Sequence, residues 1–411
     1  MNNRICRFCS HPLTSRFVDL GMSPLSNSYL KAEDLHRVES FYPLRVFVCE
    51  TCFLVQIETS ESPEHIFNEY AYFSSYSDTW LQHAREYTEN MVSRLGLNSN
   101  TAVIEIASND GYLLQYFQAK GIPVLGIEPA ANVAETAIKK GIPTLVRFFG
   151  RNLAEELINQ GRQADLIVGN NVLAHVPGLN DFVAGMKLLL KPRGVITMEF
   201  PHLMCLMAQN QFDTIYHEHI FYFSFLTAET LFAKHGFILF DVETLKTHGG
   251  SLRIYARHIE DNSIKATSRI NDLREKETQF GLDSLETYMD FEERVKEIKL
   301  NLLEFVIHAK REGKNIVGYG APAKGNTLLN YCGIGTDFID YTVDLNPHKQ
   351  RLYLPGTHIP IYHPEKIKET MPDYLLILPW NIKGEIMTQM DFIRKWGGKF
   401  VVPIPKPKVI P

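Results

Sequence analysis

Short apolar runs of strand length alternate with amphipathic helical stretches in two separate parts of this chain, and that alternation constrains the fold more than any other feature. In the first part, residues 103–106, 124–127, 166–168 and 195–200 are rich in β-branched and large apolar side chains, with helical patterns such as 112–119 and 182–190 between them. Strand–helix alternation of this kind predicts parallel sheets covered by helices, an α/β fold. In the second part, 315–318, 338–343, 374–378 and 400–402 repeat the pattern more weakly. The two parts echo each other. The run ending near Glu105 leads to Gly111, and Glu128 closes the next run. The run ending at Gly318 leads to Gly325, and Asp344 closes the next. The second part is therefore read as another nucleotide-fold unit, a degenerate repeat of the first.

The remaining segments fit around these two units. At ~100–200 residues per domain, 411 residues allow two to four domains. The boundaries are drawn at 1–65 for a small cysteine module of short strands, 66–260 for the first α/β unit, 261–312 for a charged helical connector and 313–411 for the second α/β unit. Residues 41–57 read as a hairpin around Cys49 and Cys52. Trp80, Leu81, Ala84, Tyr87, Met91 and Leu95 recur at helical spacing, and 252–256 reads as a late strand. Tyr288, Phe291, Val295, Ile298, Leu302, Phe305 and Ala309 fall at alternating spacings of three and four. This predicts one long helix packed on the neighbouring unit rather than a coiled coil. The Pro-rich end, 403–411, reads as an extended tail.

Composition excludes several classes. Lys plus Arg number 42 against 47 acids, a net charge of -5, which argues against a strongly basic nucleic-acid binder. No run approaches the ~20 apolar residues of a membrane helix, and the first twelve residues lack the apolar core of a secretory signal. A reducing, cytoplasmic setting, a small-molecule partner, no membrane or nucleic acid, and a monomer or small homo-oligomer are expected.

Four of the six cysteines form two Cys-x-x-Cys pairs, Cys6/Cys9 and Cys49/Cys52. Each pair sets two thiolates on one turn, within ~2.3 Å of a shared Zn²⁺, and four sulfurs close a structural tetrahedral site.

Further stretches carry ligand chemistry. The loop Glu105-Ile106-Ala107-Ser108-Asn109-Asp110-Gly111 follows a strand run and opens a helix, where class I methyltransferases have an acidic-x-Gly-x-Gly-x-Gly loop. Ala107 and Asn109 replace the first two glycines. Ala107 is small enough for close backbone approach, and Asn tolerates left-handed conformations. Glu128, followed by Pro129, ends the second run and is placed to accept ribose hydroxyls. NAD(P) enzymes share this layout. Asn170, Asn171 and His175 follow the third run, at a strand end that lines the ligand crevice of a parallel sheet. The turn 189–196, Leu-Leu-Lys-Pro-Arg-Gly-Val-Ile, then resembles the entry to the fifth strand of S-adenosylmethionine methyltransferases.

Tyr216, His217, Glu218 and His219 form the densest chemical cluster. A His beside a carboxylate suits general-base work; a metal pair of His217 and His219, or a surface cluster, is the competing reading. His248, Gly249, Gly250, Ser251 and Arg253 make a polar turn suited either to a polar substrate or to a simple turn. Tyr319, Gly320, Ala321, Lys324 and Asn326 lie in a glycine-bearing strand-to-helix turn that suits a diphosphate, with Asp344 as its strand-two acid. Tyr70, Ser75 and Trp80 belong to an aromatic, hydroxyl-rich stretch that reads as a cofactor lid or as core.

Taken in order along nearly the whole chain, these motifs resemble the three-domain sugar C-methyltransferases, the family of the tetronitrose and mycarose branch-forming enzymes. The resemblance implies a zinc-binding first domain, a class I methyltransferase Rossmann-like middle domain holding S-adenosylmethionine, and a second Rossmann-like domain binding the sugar nucleotide. It implies methylation at C-3 of a nucleotide-diphosphate 4-keto-6-deoxy sugar, with His219 as base, Tyr216 and Glu218 beside it, His175 near the reaction centre, and Tyr70, Glu128 and Asn171 at the cofactor. Methylation at C-5 or at an O or N atom, an NAD(P)-dependent sugar oxidoreductase, and a noncatalytic zinc-ribbon protein are the alternatives.

Overall fold

The computed structural model describes residues 4–58, 74–76 and 78–411. Along the chain the strands are β1 (Ser15–Ser23), β2 (Tyr42–Val48), β3 (Val55–Ile57), β4 (Val103–Ile106), β5 (Val124–Ile127), β6 (Thr144–Leu145), β7 (Ala164–Asn170), β8 (Leu190–Pro201), β9 (Phe221–Tyr222), β10 (Phe237–Leu245) and β11 (Ser251–His258). They continue as β12 (Ile316–Tyr319), β13 (Thr342–Val343), β14 (Ile361–Tyr362), β15 (Tyr374–Ile377), β16 (Lys399–Val402) and β17 (Lys408–Ile410). They form three sheets, ordered β1-β2-β3-β9, β10-β11-β8-β7-β4-β5-β6 and β14-β13-β12-β15-β16-β17.

In the seven-stranded sheet, β4 runs parallel to β5 and β7, and β7 parallel to β8. β11 runs antiparallel to both β8 and β10. Every residue of β4 is buried, as expected for a parallel strand covered on both faces. Strand order reverses on either side of β4, which opens a crevice at the carboxyl ends of the strands. The six-stranded sheet reverses in the same way at β12, which is parallel to β13 and β15. The fold is thus α/β with a cysteine module, a methyltransferase-type middle sheet and a second Rossmann-like sheet.

Four local expectations change. The tail does not hang free: β17 pairs antiparallel with β16. The connector helix is broken. Tyr288 lies in a short helix, Leu285–Met289, and the long helix Phe291–Arg311 starts after Asp290. That helix packs on the cysteine module as well as on the last unit: Phe291 stacks on Phe17 at 4.5 Å, and Lys299 donates to the Tyr331 carbonyl at 2.6 Å. The turn at 189–196 is a bulge, since the helix Leu179–Leu189 runs straight into β8 and the register jumps between Ala164↔Leu190 and Leu166↔Val195. Finally, β10 was not anticipated. It shields the other side of β11, which is buried throughout.

Candidate active site

The module's four cysteines converge. Their sulfurs all lie within 4.8 Å of one another, with Cys6 and Cys52 at 3.6 Å and Cys9 and Cys49 at 3.4 Å. Four thiols in this volume, two of them buried, fit a tetrahedral Zn²⁺ with no position left for substrate. Among the described residues no other group of His, Cys, Asp and Glu gathers this way. His217 and His219 in particular diverge. They sit at a turn rather than in a strand, and His217 faces the Pro43 carbonyl at 3.3 Å.

A cavity of about 670 Å³ lies where the carboxyl edges of the two parallel sheets face each other. Ala107 and Asn109 reach it from the loop after β4, Glu128 and Pro129 from β5, and Asn170, Asn171 and His175 from β7. Tyr216, Glu218, His219 and His248 line its floor, and Lys324 and Asp344 come from the second unit. Ala107 and Asn109 both adopt left-handed backbone, at φ 58° and 49°, the conformation for which glycine is the usual choice. The acid of each unit does the same job. Glu128 accepts from the N–H groups of Asn109 and Ala130, both at 2.9 Å. Asp344 accepts from those of Ala321 at 2.7 Å and Asn346 at 2.8 Å. Each carboxylate therefore ties the first strand's loop to the second strand's end, which makes the internal echo structural as well as sequential.

The cavity suits a polar cofactor. The Oδ1 atoms of Asn170 and Asn171 are buried at its wall without a partner among the described residues. Asn171 holds a left-handed backbone at φ 54°, and its Nδ2 donates to His248 Nε2 at 3.2 Å. Burial raises the Glu128 carboxyl, while its backbone donors pull it back. Glu105 lies one layer deeper, fully buried, its carboxyl pushed well up by burial and then by the charge of Glu128.

His219 is engaged at both ring nitrogens. Its ring pairs through Nδ1 with the Thr214 carbonyl at 3.0 Å, and its Nε2 meets the Tyr216 hydroxyl at 2.8 Å. A carbonyl only accepts, so Nδ1 carries the proton and Nε2 offers a lone pair. Burial, then the nearby His175, hold His219 well below the usual imidazole range. His175 stands edge-on to it at 4.8 Å and donates through Nδ1 to the Glu218 carbonyl at 2.7 Å; burial lowers its pKa to about 4. Both rings are uncharged at neutral pH. Glu218 is pushed up to about 7 by burial, against the pull of Asn27, which donates to it at 2.6 Å.

The Glu218 shift has a consequence for stability. The folded-state value lies above the ordinary one, so this group's contribution is full below about pH 4.5 and is lost as pH rises through about 7. Two to three pKa units correspond to about 3 kcal/mol. Glu218→Gln is expected to raise the unfolding free energy relative to the parent by up to that amount at pH 8 and little at pH 4. Denaturant unfolding at the two pH values checks this.

Several residues singled out from the sequence lie outside the cavity wall. Arg253 is 5% exposed and bonds Glu199 at 2.8 Å, Glu243 at 3.3 Å and His83 at 3.0 Å. It is an internal counter-ion, not an anion contact. Ser251 bonds back to the Thr247 carbonyl. Gly249 and Gly250 take positive φ, and a Cβ there would press on Trp380 and Gln211, or on Cys205. Of this turn only His248 reaches the cavity. Asn326 donates to the Ser26 carbonyl at 2.6 Å, and Tyr319 to Gln389 at 3.0 Å. Gly320 packs on Pro379, and the Ala321 carbonyl is taken by Tyr29 and Lys349. The Ala321 N–H of this turn is taken by Asp344, while Ala323 and the Lys324 side chain line the cavity. Gly111 packs against Ile142 and Ala137. Ser75 binds Asp110 and Lys140 beside the loop. Tyr70 lies outside the described residues.

Other lining residues were not singled out. Asn27 comes from the module read only as a metal site. Arg147 and Phe148 follow β6, and the rule that ligands meet carboxyl strand ends would have flagged them. Lys349, beside the Tyr29 ring at 5.0 Å, lines the cavity together with Lys324. Thr214 matters through its carbonyl, which sequence does not reveal.

This crevice, with an acid-closed loop, two strand-end asparagines and a separate four-cysteine site, defines an S-adenosylmethionine-dependent methyltransferase carrying a structural zinc module. Family models agree: one described as "Methyltransferase domain" matches residues 80–241, one described as "C-methyltransferase C-terminal domain" matches 246–405, and a "zinc binding domain" model matches 6–67. The chain is 36% identical over 98% of its length, and 96% of the relative's, to C-methyltransferase NovU of Streptomyces niveus. It belongs to the sugar C-methyltransferase family and is an S-adenosylmethionine-dependent C-methyltransferase, which displaces the oxidoreductase and noncatalytic readings. It is also 27% identical over 112 residues, 27% of this chain and 45% of the relative, to a ubiquinone biosynthesis O-methyltransferase of Bartonella tribocorum. A methyltransferase structure from Clostridium acetobutylicum aligns with TM-score 0.36 and 9% identity, over 43% of this chain and 92% of that one. No helix among the described residues is long and apolar enough to cross a membrane.

Proposed function

We propose that this enzyme methylates C-3 of a nucleotide-diphosphate 4-keto-6-deoxy sugar, with His219 as the base. The observation that carries this reading is the half-buried His219–Tyr216 pair, its tautomer set by the Thr214 carbonyl, lining one cavity together with Lys324 and Lys349. Ala107, Asn109, Glu128, Asn170 and Asn171 hold S-adenosylmethionine, which when bound supplies an electrophilic methyl group. The 4-keto group acidifies the C-3 hydrogen. Tyr216 turns its hydroxyl to the developing enolate oxygen, which frees the Nε2 lone pair of His219 to take the C-3 proton. His175 and Glu218 border the reacting carbon. Lys324 and Lys349 offer positive charge to a diphosphate, and Asp344 holds the loop between them. A walled cavity favours the transfer, because charge is neutralised as the methyl moves.

The test is mass spectrometry of products from a panel of 4-keto sugar nucleotides carrying thymidine or guanosine diphosphate. A gain of one methyl on a panel member, placed at C-3 by NMR, is expected. Methylation at C-5, or of no panel member, overturns the substrate assignment.

A further inference from the structure

The base-bearing segment packs on the cysteine module as well as on the middle unit, where the Ile220 N–H donates to the Ala174 carbonyl at 2.7 Å and His175 donates to the Glu218 carbonyl at 2.7 Å. Strand β9 follows His219 by one residue and pairs with β3 of the module, Val55 opposite Tyr222 and Gln56 opposite Phe221. The Ile57 N–H donates to the Ile220 carbonyl at 2.9 Å. On the other side of the turn, His217 meets the Pro43 carbonyl and packs edge-on to Tyr42 at 5.9 Å. Asn27 reaches from the module into the cavity wall to hold Glu218 at 2.6 Å.

The metal site is wired into the same contacts. Gln56, a β3 residue that pairs with β9, donates to Cys6 Sγ at 3.2 Å and accepts from the Arg7 N–H at 3.1 Å. The carbonyls of the first knuckle, Arg7 and Phe8, accept from Asn180 at 3.1 and 3.0 Å. The Cys52 carbonyl accepts from Thr227, just past β9, at 3.2 Å. By contrast, the bonds that shape the cofactor loop, Asn109 N–H to Glu128 and Ala107 N–H to the Ile127 carbonyl at 2.8 Å, stay within the middle sheet.

We infer that the zinc module is a positioning element of the active centre. By templating residues 217–222 through β3 and Asn27, it sets Glu218 and His219, while the cofactor site is built without it. Asn27 is a positioning residue acting through Glu218. The part of this inference that concerns turnover rests on the function proposed above; the part that concerns order in the segment does not.

Two measurements on the full-length chain decide it. In the first, zinc is removed with a chelator and amide hydrogen exchange is followed by mass spectrometry. Exchange over 217–222 should rise roughly tenfold or more, as for a local opening, while 103–111 stays protected and S-adenosylmethionine still binds by calorimetry. Unchanged protection at 217–222 in the zinc-free protein overturns the inference. In the second, Asn27→Ala keeps its full zinc content. Its kcat should fall roughly tenfold, since small misplacements near reacting groups are costly, with unchanged affinity for S-adenosylmethionine and partial recovery in Asn27→Ser. A kcat equal to the parent's overturns the role of Asn27. Should metal removal unfold the whole chain, the Asn27 variant decides. Should the parent methylate no sugar nucleotide, the function reading falls and the exchange experiment still decides this one.

Discussion

His219→Ala is expected to lower turnover by ~10²–10⁴-fold, the usual share of a general base, while S-adenosylmethionine binds with parental affinity. The separation follows from geometry. His219 is held by Thr214 and Tyr216, both on its own segment, and among the described residues no hydrogen bond joins it to the loop after β4. Its loss is therefore expected to remove the proposed proton acceptor without disturbing Ala107, Asn109 or Glu128. Burial keeps the ring well below the ordinary imidazole range, so it is unprotonated throughout the neutral range. Steady-state kinetics and calorimetry on the same preparation test this. Near-normal turnover would remove His219 as base, and parallel losses of turnover and cofactor affinity would point to a collapsed cavity instead.

Arg253→Met is expected to destabilise the fold by about 3–5 kcal/mol, the cost of leaving a buried charge without its partner. Glu199 is fully buried. Although burial opposes it, the bonds from His83 and the charge of Arg253 hold its pKa at about 2. Glu199 also anchors the Thr247 hydroxyl at 3.0 Å, at the base of the turn that carries His248. Removing Arg253 strands that carboxylate. Adding Glu199→Gln to the variant should restore part of the loss. Urea unfolding of the two single variants and the double variant measures the coupling. A contact to the substrate's phosphates would show the reverse pattern, a raised KM with stability intact.

Arg253 also shows where reading a sequence stops. A polar turn followed by Ser-Leu-Arg offers a cation at a strand start, and charge pattern alone suits an anion. The deciding partner, Glu199, is 54 residues away and one strand over in register, since Arg253 pairs with Glu199 across β11 and β8. Asn326 misleads for the same reason: it follows a glycine-bearing turn, but its Nδ2 donates to the Ser26 carbonyl, 300 residues earlier. Local chemistry names what a side chain can bond to, and only packing decides which candidate it meets. The long helix fails more mildly. Spacing of threes and fours continues through Asp290 without marking the break there.

Other assignments survive because they depend on local spacing. Two Cys-x-x-Cys pairs set their own ligand geometry within each turn, and a hairpin brings the turns together. The acid at the end of a second strand must lie beside the loop after the first when the two strands are parallel neighbours, so Glu128 and Asp344 reach their places by topology that alternation already implies. By itself, then, the sequence determined the α/β class, the zinc ligands and the acid-closed loops, all consequences of periodicity and short-range spacing. Only the tertiary structure decided that two strand edges face one cavity, that Thr214 sets the His219 tautomer and that a strand of the cysteine module pairs with the strand after His219. Those are contacts between residues far apart in the chain, and burial and strand register choose them.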